Sequence, residues 1–87
     1  MLRGVKRIIM LEREVKKDQI YRHFKGHIYR IVGIAKDSET LDEKVIYENM
    51  DTNELWIRDK VEFLSLVDKA KYPNVEQKYR FELLKED

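Results

Sequence analysis

Apolar and polar positions follow two different periods along the chain, and the period changes near Gln19. Over residues 1–18 the apolar side chains recur at helical spacing. They form two neighbouring rows, with Leu2, Val5 and Ile9 in one and Ile8, Leu11 and Val15 in the other. This spacing predicts an N-terminal helix. Met10 is an alternative start, which would make residues 1–9 a disordered leader instead.

Strand patterns begin at Gln19. The stretches "QIYRHF" and "HIYRIVGIA" flank Lys25-Gly26, and a two-residue loop ending in glycine suits a tight hairpin because glycine accepts positive φ. The second stretch is apolar on both faces, which is typical of a buried central strand. Gly33 in its middle predicts a bulge or a sharp bend.

Shorter strand patterns fill the rest of the chain. "VIYENM", "ELWIR" and the alternating "KYRFELL" each predict a strand, and "VEFLSLV" predicts a turn followed by a strand. In the polar loop "DSETLDEK", Thr40 and Glu43 match a capping box, which predicts one helical turn. Five or six short strands joined by tight turns predict a mostly β domain over residues 19–87, folded as a small antiparallel barrel.

The composition limits the classes of protein to which the chain can belong. Its 87 residues suffice for one domain. Because it has no cysteine, it has no disulfide, iron–sulfur or thiolate zinc site, which fits a reducing compartment. No apolar run approaches the roughly 18 residues that span a membrane, and no secretory signal pattern is present. We therefore expect a cytoplasmic protein without a membrane partner.

Charge is distributed unevenly, although the net charge is only +1. Residues 19–30 carry three basic and no acidic side chains, whereas residues 31–54 carry two basic and seven acidic ones. Residues 1–18 add six basic and three acidic side chains. Either the positive hairpin and the negative segment after it neutralise each other across the fold, or the hairpin faces an anionic ligand.

One compound pattern extends from Gln19 to Phe81. It consists of Tyr21-Arg22-His23-Phe24-Lys25-Gly26, Ser38-Glu39-Thr40, Val45-Ile46-Tyr47, Leu55-Trp56-Ile57-Arg58 and Arg80-Phe81. In order and spacing it resembles a small bacterial and phage family, the domain of unknown function numbered sixteen fifty-three. The chain departs from that family at Asp59, at Glu62 and in "ENMDTNE", where the family has proline, methionine and a leucine–tyrosine–glycine turn. The resemblance implies one compact, SH3-like domain and no established activity.

The same stretches supply the candidate ligand-binding residues. They are Tyr21, Arg22, His23, Lys25, Ser38, Glu39, Thr40, Trp56 and Arg58. Arginine offers a planar, always charged fork for a phosphate or carboxylate, and tyrosine and tryptophan offer flat apolar walls. This combination predicts a non-enzymatic module that binds a small anionic or nucleotide-like ligand and has no cofactor.

The candidate residues form one site only if the fold brings them together. We expect the basic YRHFKG hairpin and the acidic SET loop to approach each other, with Arg58 beside them and its stem packed on Trp56. In the alternative, Arg58 forms an internal ion pair with Glu39 or Glu48.

Two alternative binding functions stay open. An SH3-like barrel can bind a peptide in an aromatic groove, and the N-terminal segment or an edge strand could form a homodimer. Tyr21, Tyr29, Tyr47 and Trp56, interleaved with basic residues, have the composition of a nucleic-acid stacking platform. The small net charge argues against nucleic acid, and a small barrel also needs large aromatics in its core.

Catalysis and metal binding are weaker hypotheses. His23 with Glu39 beside Ser38 could act as a base and its orienting group, and His23 with His27 and Glu39 could bind zinc. Ser38 and Thr40 are better explained as ordinary turn and cap residues, and the two histidines as partly exposed residues of the hairpin. We therefore predict neither a catalytic residue nor a metal ligand.

Overall fold

The computed structural model describes residues 13–86. Their elements are β1 (Ile20–His23), β2 (Ile28–Lys36), β3 (Glu43–Asn49), β4 (Leu55–Asp59), α1 (Lys60–Phe63) and β5 (Phe81–Lys85). All strand pairs are antiparallel, and the five strands lie in one sheet in the order β4-β3-β2-β1-β5. The prediction of a mostly β, antiparallel fold is therefore confirmed.

The sheet is bent but open, and β4 and β5 are its two edges within the described part of the chain. The one-turn helix α1 follows β4 and precedes the segment that leads to β5. This arrangement is compatible with an SH3-like fold, although the strands do not close into the predicted barrel. Within residues 13–86 no helix is both long enough and apolar enough to cross a membrane.

The β1–β2 hairpin turns where the sequence predicts, but through three residues rather than two. The amide of Gly26 donates to the carbonyl of His23 (2.7 Å), and the amide of His23 donates to the carbonyl of His27 (2.9 Å). Gly26 has a φ of 107°, which glycine adopts without a steric penalty. A three-residue loop with a bulge at the glycine is a common hairpin connection.

Strand β2 joins the two halves of the sheet, because it pairs with β1 near its start and with β3 along most of its length. The register of the β2–β3 pair shifts between Ile31 and Gly33, so the predicted bulge is present. A bulge bends the strand and increases its twist. The bend lets β1 and β5 pack over the same core as β3 and β4.

Aromatic rings fill that core. Phe63 from α1 stacks on Phe81 from β5 with ring centroids 4.0 Å apart, and Tyr47 lies edge-on to both. Tyr21 is fully buried, and its hydroxyl donates to the side-chain carbonyl of Gln19 (2.8 Å). The interpretation of Tyr47 as a core residue is therefore correct, whereas Tyr21, predicted to bind a ligand, is a core residue instead. Because both rings are buried, neither offers a face on which a nucleic-acid base can stack.

Three predicted local structures are wrong. The segment "VEFLSLV" holds part of α1 and an isolated bridge from Leu66 to Tyr79 instead of a strand, because Phe63 enters the core from a helical turn. Thr40 begins no helix, and the loop turns through Leu41 with a positive φ of 67°. Residues 13–17 are not helical, and the rest of the predicted N-terminal helix lies outside the described residues.

Residues 13–18 pack on the sheet, although the sequence pattern groups them with the N-terminal segment. Arg13 donates to the carbonyls of Phe81 (2.8 Å) and Leu64 (3.0 Å), and its guanidinium lies 3.7 Å from the ring centroid of Tyr79. Val15 is buried in the core. These contacts tie this part of the chain to β5 and to the end of α1.

Candidate functional site

A basic cavity of about 260 Å³ opens at the end of the sheet where the β1–β2 hairpin turns. Its walls come from the hairpin, from β4 and from the irregular segment between α1 and β5. The lining residues are His23, Phe24, Lys25, Arg58, Val67, Asp68, Lys71, Tyr72 and Arg80. Four of these side chains are lysine or arginine and one is a carboxylate, so the cavity favours negative charge.

Hydrogen bonds hold the irregular segment against the hairpin. The amide of Phe24 donates to the carbonyl of Arg80 (3.0 Å), and the amide of Arg80 donates to the carbonyl of Ser65 (2.9 Å). The Nε of Arg80 also donates to the Ser65 hydroxyl (3.0 Å). The cavity walls are therefore fixed by the backbone as well as by side-chain packing.

His23 contributes a neutral donor to this positive surface. Its Nδ1 accepts a hydrogen bond from the amide of Lys25 (3.0 Å), which leaves the proton of the neutral imidazole on Nε2. The ring stacks on Phe24 with centroids 4.4 Å apart. Burial, and after it the charge of Arg58 and other neighbouring cations, lowers the pKa of His23 to about 4. At pH 7 the imidazole is therefore uncharged.

Arg58 reaches the cavity from β4. Its Nε donates to the hydroxyl of Tyr47 (3.3 Å), and its guanidinium lies 3.4 Å from Glu62, whose side chain is exposed. The alternative prediction, an internal ion pair with Glu39 or Glu48, is wrong. Because its carboxylate contact is long and faces solvent, Arg58 can turn its free N–H groups to another anion.

Lys25 and Lys71 flank a pair of aromatic rings. The rings of Phe24 and Tyr72 lie with centroids 4.9 Å apart and planes tilted by 58°. The Nζ atoms of Lys25 and Lys71 are 5.7 and 5.5 Å from the Tyr72 ring centroid, within the range of cation–π contacts. The cavity thus joins positive charge to an apolar aromatic surface.

Three of the four positive charges of the cavity lack carboxylate partners among residues 13–86, and the fourth, Arg58, has only its contact with Glu62. Lys25, Lys71 and Arg80 make no salt bridge to any described residue. Asp68 uses one carboxylate oxygen to accept hydrogen bonds from the amides of Ala70 (3.1 Å) and Lys71 (3.3 Å), which shapes its own turn. An anion entering the cavity would therefore meet several available cationic donors.

The fold separates the nine candidate residues. The cavity includes His23, Lys25 and Arg58. Arg22 pairs across β1 and β5 with Glu82 at 2.5 Å, outside the cavity. Tyr21 belongs to the core, and Trp56 lies half-exposed on the edge strand β4.

Ser38, Glu39 and Thr40 lie at the far end of β2 from the hairpin. That strand has nine residues, each adding about 3.3 Å. The predicted approach of the hairpin to the SET loop is therefore wrong. The loop satisfies its own polar groups instead, because Asp37 accepts hydrogen bonds from the amides of Glu39 (2.8 Å) and Thr40 (3.2 Å).

Because His23 and Glu39 lie at opposite ends of β2, they cannot form the proposed base and orienting group, nor can they bind one zinc ion together. Among residues 13–86, no group of three histidine, aspartate or glutamate side chains is placed to hold a metal ion. His23 also commits its Nδ1 to the hairpin backbone. What the arrangement offers chemically is charge and hydrogen-bond donors.

Sequence analysis missed most of the cavity wall. The missed residues are Phe24, Val67, Asp68, Lys71, Tyr72 and Arg80. Asp68, Lys71 and Tyr72 belong to a segment without an alternating pattern, and long-range backbone bonds at Val67 and Arg80 place this segment beside the hairpin. One available signal was Arg80 in the closing Arg-Phe pair of the compound pattern.

A larger groove of about 820 Å³ lies elsewhere and has the opposite charge balance. Its charged residues are Arg13, Lys60, Glu14, Asp42, Glu43 and Asp59. Lys60 is already paired with Glu43 at 2.9 Å. With an excess of carboxylates, this groove suits an anion less well than the smaller cavity.

Fold and site together define a small, mostly β domain, compatible with an SH3-like fold, that has a basic cavity beside its first hairpin. Residues 19–83 match the family described as "Protein of unknown function (DUF1653)". The chain therefore belongs to this family, which confirms the resemblance, and the cavity lies wholly within the matched residues. No curated protein and no solved structure matches the chain.

Proposed function

We propose that this domain is a non-enzymatic module that binds a small anionic ligand in the basic cavity. The observation that supports the proposal is the set of cations, Lys25, Lys71 and Arg80, without carboxylate partners among residues 13–86. Arg58 adds a planar fork from β4. The cavity volume of about 260 Å³ fits a phosphate or carboxylate group with a small attached moiety.

A nucleotide-like ligand would use both properties of the cavity. Its phosphate would accept hydrogen bonds from Arg58 and Arg80 and from the Nε2 of neutral His23. An attached ring would lie against Tyr72, whose face is bordered by Lys25 and Lys71. The hydrogen bonds from the two arginines to the phosphate would be charge-assisted, and such bonds are stronger than those between neutral groups.

The state of His23 favours binding over proton transfer. A general base works best when its pKa lies near the operating pH. The pKa of His23 is lowered to about 4, and its Nδ1 is occupied by the amide of Lys25. The imidazole is therefore suited to donate a hydrogen bond rather than to shuttle protons at neutral pH.

Amide chemical shifts in a two-dimensional NMR titration test the proposal. We expect inorganic phosphate and adenosine monophosphate to shift the amides of residues 23–27 and 67–72, and uncharged adenosine to shift them much less. Arg58→Ala should weaken phosphate binding by about tenfold or more, since it removes a charge-assisted contact. Lys60→Ala is the matched control, because Lys60 lines the larger groove instead of the cavity and is paired with Glu43, so its loss should leave the affinity unchanged.

The proposal fails if both anions leave these amides unshifted. It fails equally if the shifts spread over all lysines and arginines and respond alike to Arg58→Ala and Lys60→Ala. In that case the cations form a solvated surface with no specific ligand.

A further inference from the structure

The two edges of the sheet differ in how well they are protected from pairing with another strand. Native proteins prevent such pairing by placing charges, bulges or prolines in the edge strand. At β5 the pairing with β1 is interrupted by a register shift, and the strand carries Glu82 and Lys85. Strand β4 pairs with β3 without any shift, and its first three residues, Leu55, Trp56 and Ile57, are apolar.

These three side chains are also accessible. Leu55 is 63% exposed, Trp56 49% and Ile57 62%. Within residues 13–86, β4 packs mainly against β3 and α1, and no second strand lies along its outer edge. An edge strand that is apolar, open and free of bulges is a template for another strand.

The hydrogen-bonding direction of each β4 residue follows from its pairing with β3. The carbonyl of Glu54 accepts from the amide of Asn49 (2.9 Å), so Glu54 faces β3. Because successive residues alternate, Trp56 and Arg58 also face β3, whereas Leu55, Ile57 and Asp59 direct their amides and carbonyls to the open edge. The edge thus offers three residues at alternate positions, of which Leu55 and Ile57 are apolar.

The sequence of this edge is complementary to itself when it is read antiparallel. With a two-fold axis at Trp56, Leu55 of one chain lies opposite Ile57 of the other, and their open backbone groups pair with each other. The same register places Glu54 opposite Arg58, so that each dimer contains this opposite-charge pair twice. The two Trp56 side chains meet at the axis, and cross-strand aromatic and ion pairs are stabilising contacts.

We propose that the partner of β4 is a second copy of this chain, paired antiparallel through β4 about a two-fold axis at Trp56. The contact joins the two sheets into one continuous sheet. It covers the apolar edge of both chains, as an isologous interface requires.

Sedimentation velocity across a dilution series measures the association directly. We expect the mass to double with rising concentration, and the emission of Trp56, the one tryptophan of the chain, to move to shorter wavelength in parallel. Ile57→Lys should abolish dimerisation by placing a charge against Leu55 of the partner. Val61→Lys is the matched control, since Val61 is also apolar and 84% exposed but lies outside β4.

A charge exchange tests the register. Glu54→Arg alone and Arg58→Glu alone should each weaken the dimer by about tenfold or more, since each creates two like-charge pairs. The double variant should regain most of the affinity, because it restores both pairs with the signs reversed. Since Arg58 also lines the cavity, the series is run in chloride without phosphate, and its outcome does not depend on anion binding.

Three results would overturn the proposal. The first is a single chain at every concentration, as expected if residues 1–12 or a different protein cover β4. The second is a dimer that tolerates Ile57→Lys, which would place the interface elsewhere. The third is a double charge variant no more dimeric than the single variants, which would exclude the register.

Discussion

The two ends of strand β2 lie beside opposite charges, and they differ in whether those charges have partners within the described residues. At the hairpin end, Lys25 and Arg80 line a cavity and have no salt bridge among the described residues. At the loop end, Asp37 accepts two backbone hydrogen bonds, and Glu43 pairs with Lys60. A run of like charges in the sequence therefore indicates a binding site only where the fold leaves the charges without partners.

The comparison also shows what supports each end. The cavity is built against the core, since His23 lies edge-on to Phe81 with ring centroids 4.9 Å apart. The loop end projects from the sheet, and its one large apolar residue, Leu41, is 68% exposed. Changes at the two ends should therefore differ in their effect on stability and on ligand binding.

The largest difference is expected from truncating one apolar side chain at each end. Phe81→Ala should lower the free energy of unfolding by about 3–5 kcal/mol, because it leaves a cavity beneath His23. Leu41→Ala should change it by at most about 0.5 kcal/mol, since little buried surface is lost. Urea denaturation measures both, and equal losses would show that the loop end is as tightly packed as the cavity.

A smaller effect is expected for Arg58. Arg58→Ala should cost about 0–2 kcal/mol of stability, because its contact with Glu62 is solvent-exposed and 3.4 Å long. Breaking a buried ion pair would instead cost about 3–5 kcal/mol, since the partner charge would remain buried. Thermal unfolding in the absence of phosphate distinguishes the two, and a loss in the higher range would make Arg58 a structural residue.

The smallest effect is expected at the loop end. Hydrogen bonds from the amides of Glu39 and Thr40 hold the pKa of Asp37 below its usual range. The Asp37 carboxylate therefore stabilises the loop fully when the pH is above the usual pKa of an aspartate side chain. This stabilisation is lost as the pH falls through the lowered pKa of Asp37. Asp37→Ala should speed hydrogen exchange at these two amides, whereas Asp42→Ala should not, and equal exchange in both variants would contradict the assignment.

Sequence patterns predict the parts of this fold that depend on local chemistry. Alternation of apolar and polar residues predicts the strands, and Gly33 predicts the bulge. Gly26 predicts the hairpin because the turn requires a positive φ at that position. The length of the turn at Gly26 is not predictable from the sequence, since glycine is common at the last position of both two-residue and three-residue hairpin loops. Thr40 matches a capping box, but the Asp37 carboxylate binds the loop amides instead.

The candidate site is less predictable, because it depends on contacts between distant parts of the chain. His23 and Lys25 follow from the hairpin motif, and Arg58 from its strand. Arg80 reaches the cavity through its backbone bond with Phe24, and Tyr72 through the contact of its ring with that of Phe24, and no local pattern encodes either contact. The prediction that the SET loop approaches the hairpin is wrong because the nine-residue strand β2 separates them, and attraction between opposite charges does not overcome this distance.

The central claim is that an anion occupies the cavity beside His23, and the ionisation of this histidine reports it directly. NMR titration of its imidazole should give a pKa of about 4 in chloride. Sulfate, which stays a dianion over this range, should raise that pKa by offsetting the charges of Arg58 and Arg80. The His27 resonances at the same ionic strength provide the control. A pKa of His23 that is the same in sulfate and chloride would contradict the account.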